Sequence, residues 1–397
     1  MSEEKIDVNL KEVLADLLQA NEKLVTQFNA SRFSSLKSYP NFYGFERGLY
    51  YSHRDFDAFM EKLDKGEQSA IVSGLNPSGQ LHMGHKVVFD CNLFFQKEYG
   101  VPVYIPLSDD ESYVSRKVED RMDAVENSVM LIRSLLAYGF DPDKTKILLD
   151  YNYPEIFSIA MELSRKVTYS EVQAIYGYEP STNIGLGFYP AVQAAHVLFP
   201  KIHDKTDNVL VPIGPDEDAH LRLCRDIAAR THNTKAAVLH GVFMPDINGE
   251  KMSKSRPDGV IYFKDDPKLV KKKIGRALSG GQKTVEEHRR LGGDPDADVS
   301  IFYLEKYFLN SKECEELKGA YRRGELLSGE VKVQFAEKMT ELVNTFQKNL
   351  RNVKDSDFEK VIMQPESKIK PELKQIWGAQ TDVIKGNAQP VKSKTPH

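Results

Sequence analysis

The chain has 397 residues, 54 lysines and arginines against 58 acidic residues, and 41% hydrophobic content. Length and composition describe a globular protein of two domains, or three, able to bury large cores. They exclude a membrane-spanning helix, since no run approaches the roughly 20 apolar residues of a span, and a net charge of −4 neither demands nor forbids a nucleic-acid partner.

The first residues are acidic and lack the basic start and apolar core of a signal peptide. Residues 1–66 read as an N-terminal extension, a helix "NLKEVLADLLQANEKLVTQF" followed by the aromatic-rich "YPNFYGFERGLYYSHRDFDAFMEKL". Strand and helix patterns then alternate over residues 67–265. "SAIVSG" is a short buried strand, "LNPSGQ" a loop, and "HMGHKVVFDCNLFFQKEYG" a helix. "VPVYIPLS", "KTKILLDY" and "NVLVPIG" continue the rhythm, with "RMDAVENSVMLIRSLLAYG" and "DAHLRLCRDIAAR" as further helices. Such alternation predicts an α/β fold, a Rossmann-like doubly wound parallel sheet whose ligand sits at the carboxyl ends of the strands. The acidic cluster "DDES" follows one such strand; Asp109 and Asp110 in it are read as a solvated strand end without a role.

After residue 265 the strand-like runs stop. "PKLVKKKIGRAL", "SIFYLEKYFLN", "KECEELKGAYRRG" and "EVKVQFAEKMTELVNTFQKNLRNV" all carry helical periodicity, so residues 266–378 are expected to form an all-helical domain. Residues 379–397 have little apolar content and read as a disordered tail. Cys91, Cys224 and Cys314 form neither a disulfide framework nor a zinc pattern, so a reducing cytoplasm is the expected location.

Two short stretches carry chemistry. In "HMGH", His82 to His85, Gly84 lets a ligand approach the backbone at a helix N-terminus that favours phosphate, and histidines spaced i, i+3 share a face from which both can donate to phosphoryl oxygens. In "GEKMSKSRPDGV", residues 249–260, glycine and proline bound a surface loop. Its Lys251 and Lys254, with Ser253 between them, suit a lid over a phosphate chain. Neither stretch is a P-loop or a G-x-G-x-x-G fingerprint, which argues against P-loop NTPases and dinucleotide enzymes.

Together, in this order, HMGH and KMSKS resemble the two signatures of class I aminoacyl-tRNA synthetases. "RALSGGQKTVEEHRRLGGDPDADVS" and "YRRGELLSGEVK", with "YYSHRDFD", "FYPAVQAAH" and "VPIGPDEDAHLRLCRDIA", resemble the tryptophanyl members of archaea and eukaryotes. The resemblance implies the following roles. His82, Gly84 and His85 contact ATP phosphates, Ser73 and Gly74 begin the turn beneath the nucleotide, and Lys251, Ser253 and Lys254 close over the pyrophosphate. Asp216 and Glu217 take the positions of an Asp-Gln pair, with Glu217 available to the substrate ammonium, and Glu111 matches a family acid. Mg²⁺ bridges the ATP phosphates, with no protein side chain expected as metal ligand. It also implies tRNA(Trp) and L-tryptophan as partners, a homodimer, and the helical domain as the anticodon-binding part. Lys268, Lys271, Lys272, Lys273 and Arg276, with His288, Arg289 and Arg290, are its basic residues.

The amino-acid pocket departs from that pattern. Val72 and Pro106 stand where the family has a tyrosine and a glutamine that read the indole N–H, and Ser112 replaces a lysine that follows the family acid. Gln193 is retained. His196 falls where bacterial members place an aspartate, and a neutral imidazole can accept the same hydrogen bond. Tyrosine therefore stays open as the alternative substrate. An adenylylating enzyme without tRNA is argued against by the helical appendix, and a catalytically silent relative by the intact HMGH and KMSKS residues.

Overall fold

The computed structural model describes residues 10–252, 256–364 and 371–387. Seven strands form one sheet: β1 (Ser31–Arg32), β2 (Tyr50–Arg54), β3 (Ser69–Val72), β4 (Val103–Leu107), β5 (Thr145–Leu149), β6 (Asn208–Ile213) and β7 (Ala237–Gly241), in the spatial order β1-β2-β7-β6-β3-β4-β5. The five strands from β3 to β7 are parallel. The chain winds outward from β3 through β4 to β5, then returns to β6 on the other side. Its switch point therefore lies between β3 and β6, where Ile71 pairs with both Val103 and Leu210, and the crevice above this point is where such sheets bind ligands.

Alternating side chains build two cores. Ile71, Val103, Ile105, Ile147, Leu210 and Leu239 face one way, toward the Lys86–Glu98 and Arg121–Tyr138 helices. Ala70, Val72, Tyr104, Leu148, Val209 and Val238 face the other, toward the Glu155–Ser164, Ile184–Asp204 and Asp218–Arg230 helices. The expected doubly wound sheet is present. The extension adds to it: β2, inside the aromatic-rich stretch, pairs antiparallel with β7, and β1 pairs with β2.

No strand follows Gly241 among the described residues. The helical part begins at Pro267–Gly275, where Asp266 caps by accepting from the Lys268 and Leu269 amides and proline takes the first turn. Its Val270, Ile274, Phe335, Met339 and Trp377 join the same apolar cluster as the first sheet face. The helix Pro371–Ile384 runs past residue 378, where sequence predicts a tail. It is held because Trp377 stacks on Phe358 at 4.1 Å and lies under the buried Arg133 guanidinium, which also bonds Thr381. Residues 388–397 lie outside the described residues. No helix among those described is long and apolar enough to cross a membrane.

Candidate active site

A cavity of ≈ 560 Å³ opens above the switch point. At one end the chain leaves β3 at Val72, turns through Ser73 and Gly74 across the end of β4, and reaches the Met83–His85 turn that begins the Lys86–Glu98 helix. His82 Nδ1 accepts from the Gly84 amide and His85 Nδ1 from the His82 amide, both at 3.1 Å. An imidazole that accepts at Nδ1 carries its proton on Nε2. Both rings, 4.1 Å apart, are thereby fixed as Nε2–H donors by their own backbone. His85 Nδ1 also lies 3.3 Å from the His82 carbonyl, but the shorter contact comes from the well-aligned amide.

The KMSKS stretch is anchored on both sides, and on the far side to this turn. Lys251 bridges to Pro245 before the loop, and Tyr262 after it bridges to His82, with Met83 N–H donating to Ile261 and Phe263 N–H to Leu81. A Cβ on Gly84 would sit 2.9 Å from the His82 ring and 3.2 Å from Met252 Sδ. Glycine is therefore required here by close approach, and the two motifs share one side of the sheet. The Lys251 ammonium lies 3.9 Å over the Phe243 ring and 3.5 Å from Asp216. Ser253 and Lys254 lie outside the described residues.

At the other end Val72 and Pro106 supply apolar wall, while Gln193 and His196, one turn apart on the Ile184–Asp204 helix, present polar groups. Tyr176 O–H donates to Gln193 at 2.7 Å, and its ring stacks on His220 at 4.3 Å. His220 in turn bonds Glu217 at 2.9 Å. Burial opposes ionisation of Glu217, but His220, Lys117 and Gln193 together outweigh it and hold the carboxyl below its usual range. The cavity thus carries an anion at its rim. His196 is buried, its Nε2 2.8 Å from Asp150, and burial pushes the imidazole down to about 4, so the ring is neutral at pH 7.

The family model for class I tRNA synthetases (W and Y) matches residues 64–344. The chain belongs to that family. The tryptophan–tRNA ligase of Methanopyrus kandleri is 34% identical over 339 residues, covering 84% of this chain and 90% of its own; that of Sulfolobus acidocaldarius is 37% identical over 315, covering 78% and 81%. Among solved structures, tryptophanyl-tRNA synthetase of the archaeon Aeropyrum pernix superposes with a TM-score of 0.80 at 31% identity, covering 89% of this chain and 98% of that one. The enzyme of Giardia lamblia gives 0.78 at 29%, covering 88% and 98%.

In this synthetase all the described site residues named from sequence line the one cavity: Val72, Ser73, Gly74, His82, Gly84, His85, Glu111, Gln193, His196, Asp216, Glu217 and Lys251. Two features of the site were not expected. Where a lysine is missing at Ser112, which is buried and bonds Asn76, Lys117 reaches back to hold Glu111 at 2.9 and 3.0 Å and lines the cavity itself. A cation is thus supplied from five residues further along the chain, a position no local pattern marks. The acidic cluster is also not a solvated strand end. Asp109 is fully buried and accepts from the Tyr151 amide; burial pushes it up to about 6. Asp110 stands beside Asp150 behind His196.

Proposed function

We propose that this chain charges tRNA(Trp): it activates L-tryptophan with ATP to the adenylate and pyrophosphate, then transfers the amino acid to tRNA. The observation that carries the activation step is the joining of HMGH to the KMSKS flanks across one cavity at the switch point. The substrate carboxylate is itself the nucleophile at the α-phosphate, so no protein base is required. Catalysis rests on positioning and on donors aimed where charge develops. His82 and His85 offer Nε2–H to phosphoryl oxygens, while Lys251 and Lys254 neutralise the departing pyrophosphate. Glu217 takes the substrate ammonium and His196 the indole N–H. ATP enters as its Mg²⁺ complex, the ion held by phosphate oxygens and water.

Residues 266–378 are assigned to anticodon binding, and the protein to the cytoplasm as a homodimer. Exposed Lys268, Lys271 and Lys272 share a helix face that, with Arg276, suits RNA phosphates. Lys273 and His288 belong elsewhere. Lys273 is buried on Val260 O and Asp265, and His288 is buried on Leu326 O.

Amino-acid-dependent exchange of pyrophosphate into ATP, run with every protein amino acid in turn, tests the substrate. Tryptophan alone is expected to give a signal; a tyrosine signal would move the chain to the tyrosyl branch, and silence throughout would end the ligase reading. Gly84→Ala is expected to lower the exchange rate about tenfold with little change in thermal midpoint, because the added methyl displaces the His82 ring rather than the core. An undiminished rate would remove His82 from the phosphate site.

A further inference from the structure

Behind His196 lies a cluster that the activation chemistry does not use. His196 comes from the helix covering one sheet face, Asp150 from the residue after β5, and Asp110 from the first turn after β4. Asp150 is fully buried, and its Oδ1 takes the 2.8 Å bond to His196 Nε2. The Asp110 and Asp150 carboxyls hydrogen-bond one another. Counted as two carboxylates they have no donor between them, and Asp110 Oδ1 and Asp150 Oδ2 are then buried oxygens without a partner among the described residues. One shared proton removes that deficit. Burial raises the proton affinity of both; the Asp150 carboxyl adds to it at Asp110, which is pushed up to about 8, whereas at Asp150 the bond from Asp110 works the other way, so the shared proton belongs to Asp110. Asp109 has partners of its own, with Oδ1 on the Tyr151 amide and Arg121 3.8 Å from Oδ2, and its charge adds to the proton affinity of Asp150.

The proton count then decides the imidazole. Wherever the shared proton sits between Asp110 and Asp150, it is spent in their mutual bond. Asp150 Oδ1 has none to give and must accept, so His196 Nε2 carries hydrogen. In a neutral ring that makes Nδ1 an acceptor. His196 lines the cavity whereas Asp110 and Asp150 do not, so Nδ1 is the nitrogen offered to a ligand. We infer that Asp150, backed by protonated Asp110, is a positioning residue for amino-acid selection: it locks His196 in the tautomer that accepts the substrate's indole N–H. This rests on the tryptophan reading of the site. The alternative tautomer presents a donor to a donor and rejects the same ligand.

The direct test uses the intact wild-type chain labelled with ¹⁵N-histidine, the His196 signals being assigned by their loss in His196→Gln. The Nε2–H tautomer is expected at pH 7, and an Nδ1–H tautomer overturns the inference whatever the variants do. The functional test compares tryptophan with β-(3-benzothienyl)alanine, in which sulfur replaces the indole N–H. Asp150→Ala is expected to lower the wild-type preference in kcat/KM for tryptophan about tenfold while leaving the sulfur isostere unchanged, and Asp110→Asn, whose amide still donates to Asp150, to keep it. Equal losses on both substrates in Asp150→Ala would make the contact merely structural. A wild-type enzyme that treats both substrates alike while showing the Nε2–H tautomer would instead overturn His196 as the indole acceptor, and the inference with it.

Discussion

His82→Ala is expected to lower the rate of tryptophan-dependent pyrophosphate exchange by about 10²–10³ while barely moving KM for tryptophan. The ring does two things. Its Nδ1 caps the Gly84 amide at 3.1 Å, and that bond fixes Nε2 as a hydrogen-bond donor before any nucleotide arrives. A donor oriented in advance gains most when the phosphoryl oxygens gather charge, so its removal is felt in the transition state more than in substrate binding. Gln193, His196 and Glu217, proposed above for tryptophan, line the other end of the cavity, which is why its KM is expected to stay. Losing the cap costs about 1 kcal/mol, too little to unfold the chain. His82→Asn keeps an oxygen for the Gly84 amide and is expected to fall between wild type and alanine. An exchange rate in His82→Ala within a factor of two or so of wild type would remove the HMGH turn from phosphate chemistry.

What the chain discloses before folding depends on how local each cause is. Strand–helix alternation and the HMGH turn are set within a few residues, and each is found where the pattern places it. The aromatic stretch before residue 66 hides β2, because "YYSHR" has no alternating pattern: four of its five residues are buried once the strand pairs with β7. Two acids, Asp109 and Asp110, read differently in the fold for the same reason. Asp109 and Asp110 look like any solvated strand end until Asp150 and the His196 helix close over them, and only the chain's return puts those groups together. Lys117 replaces the expected lysine across a short helix, and Lys273, third in a run of lysines, turns inward because helical geometry sends it toward Asp265. Charge runs give composition but not direction.

Arg54→Ala is expected to destabilise the protein by about 3–5 kcal/mol, seen as a lower denaturant midpoint at pH 7. Arg54 on β2 forks onto buried Asp218 with 2.8 and 3.0 Å bonds. Asp218 also receives His240 of β7 at 2.9 Å, and His240 bonds Ser52 of β2 on its other nitrogen, so the network staples the antiparallel edge to the parallel sheet. Removing one partner leaves a buried carboxylate short of donors. Lysine cannot reproduce the fork, so Arg54→Lys is expected to recover only part of the loss. The pH dependence follows in sign. Burial alone would raise Asp218, but the bonds from His240 and Arg54 hold it well below the usual carboxylate range; its stabilisation is complete above about pH 3.9 and lost as pH falls through the depressed value. Burial likewise lowers His240, so its share is present above about pH 6.5 and goes first on acidification. Asp218 directly follows Asp216 and Glu217 in the chain, so loosening it should also raise KM for tryptophan. An Arg54→Ala protein with the wild-type midpoint would mean that the edge strands contribute nothing to holding that loop.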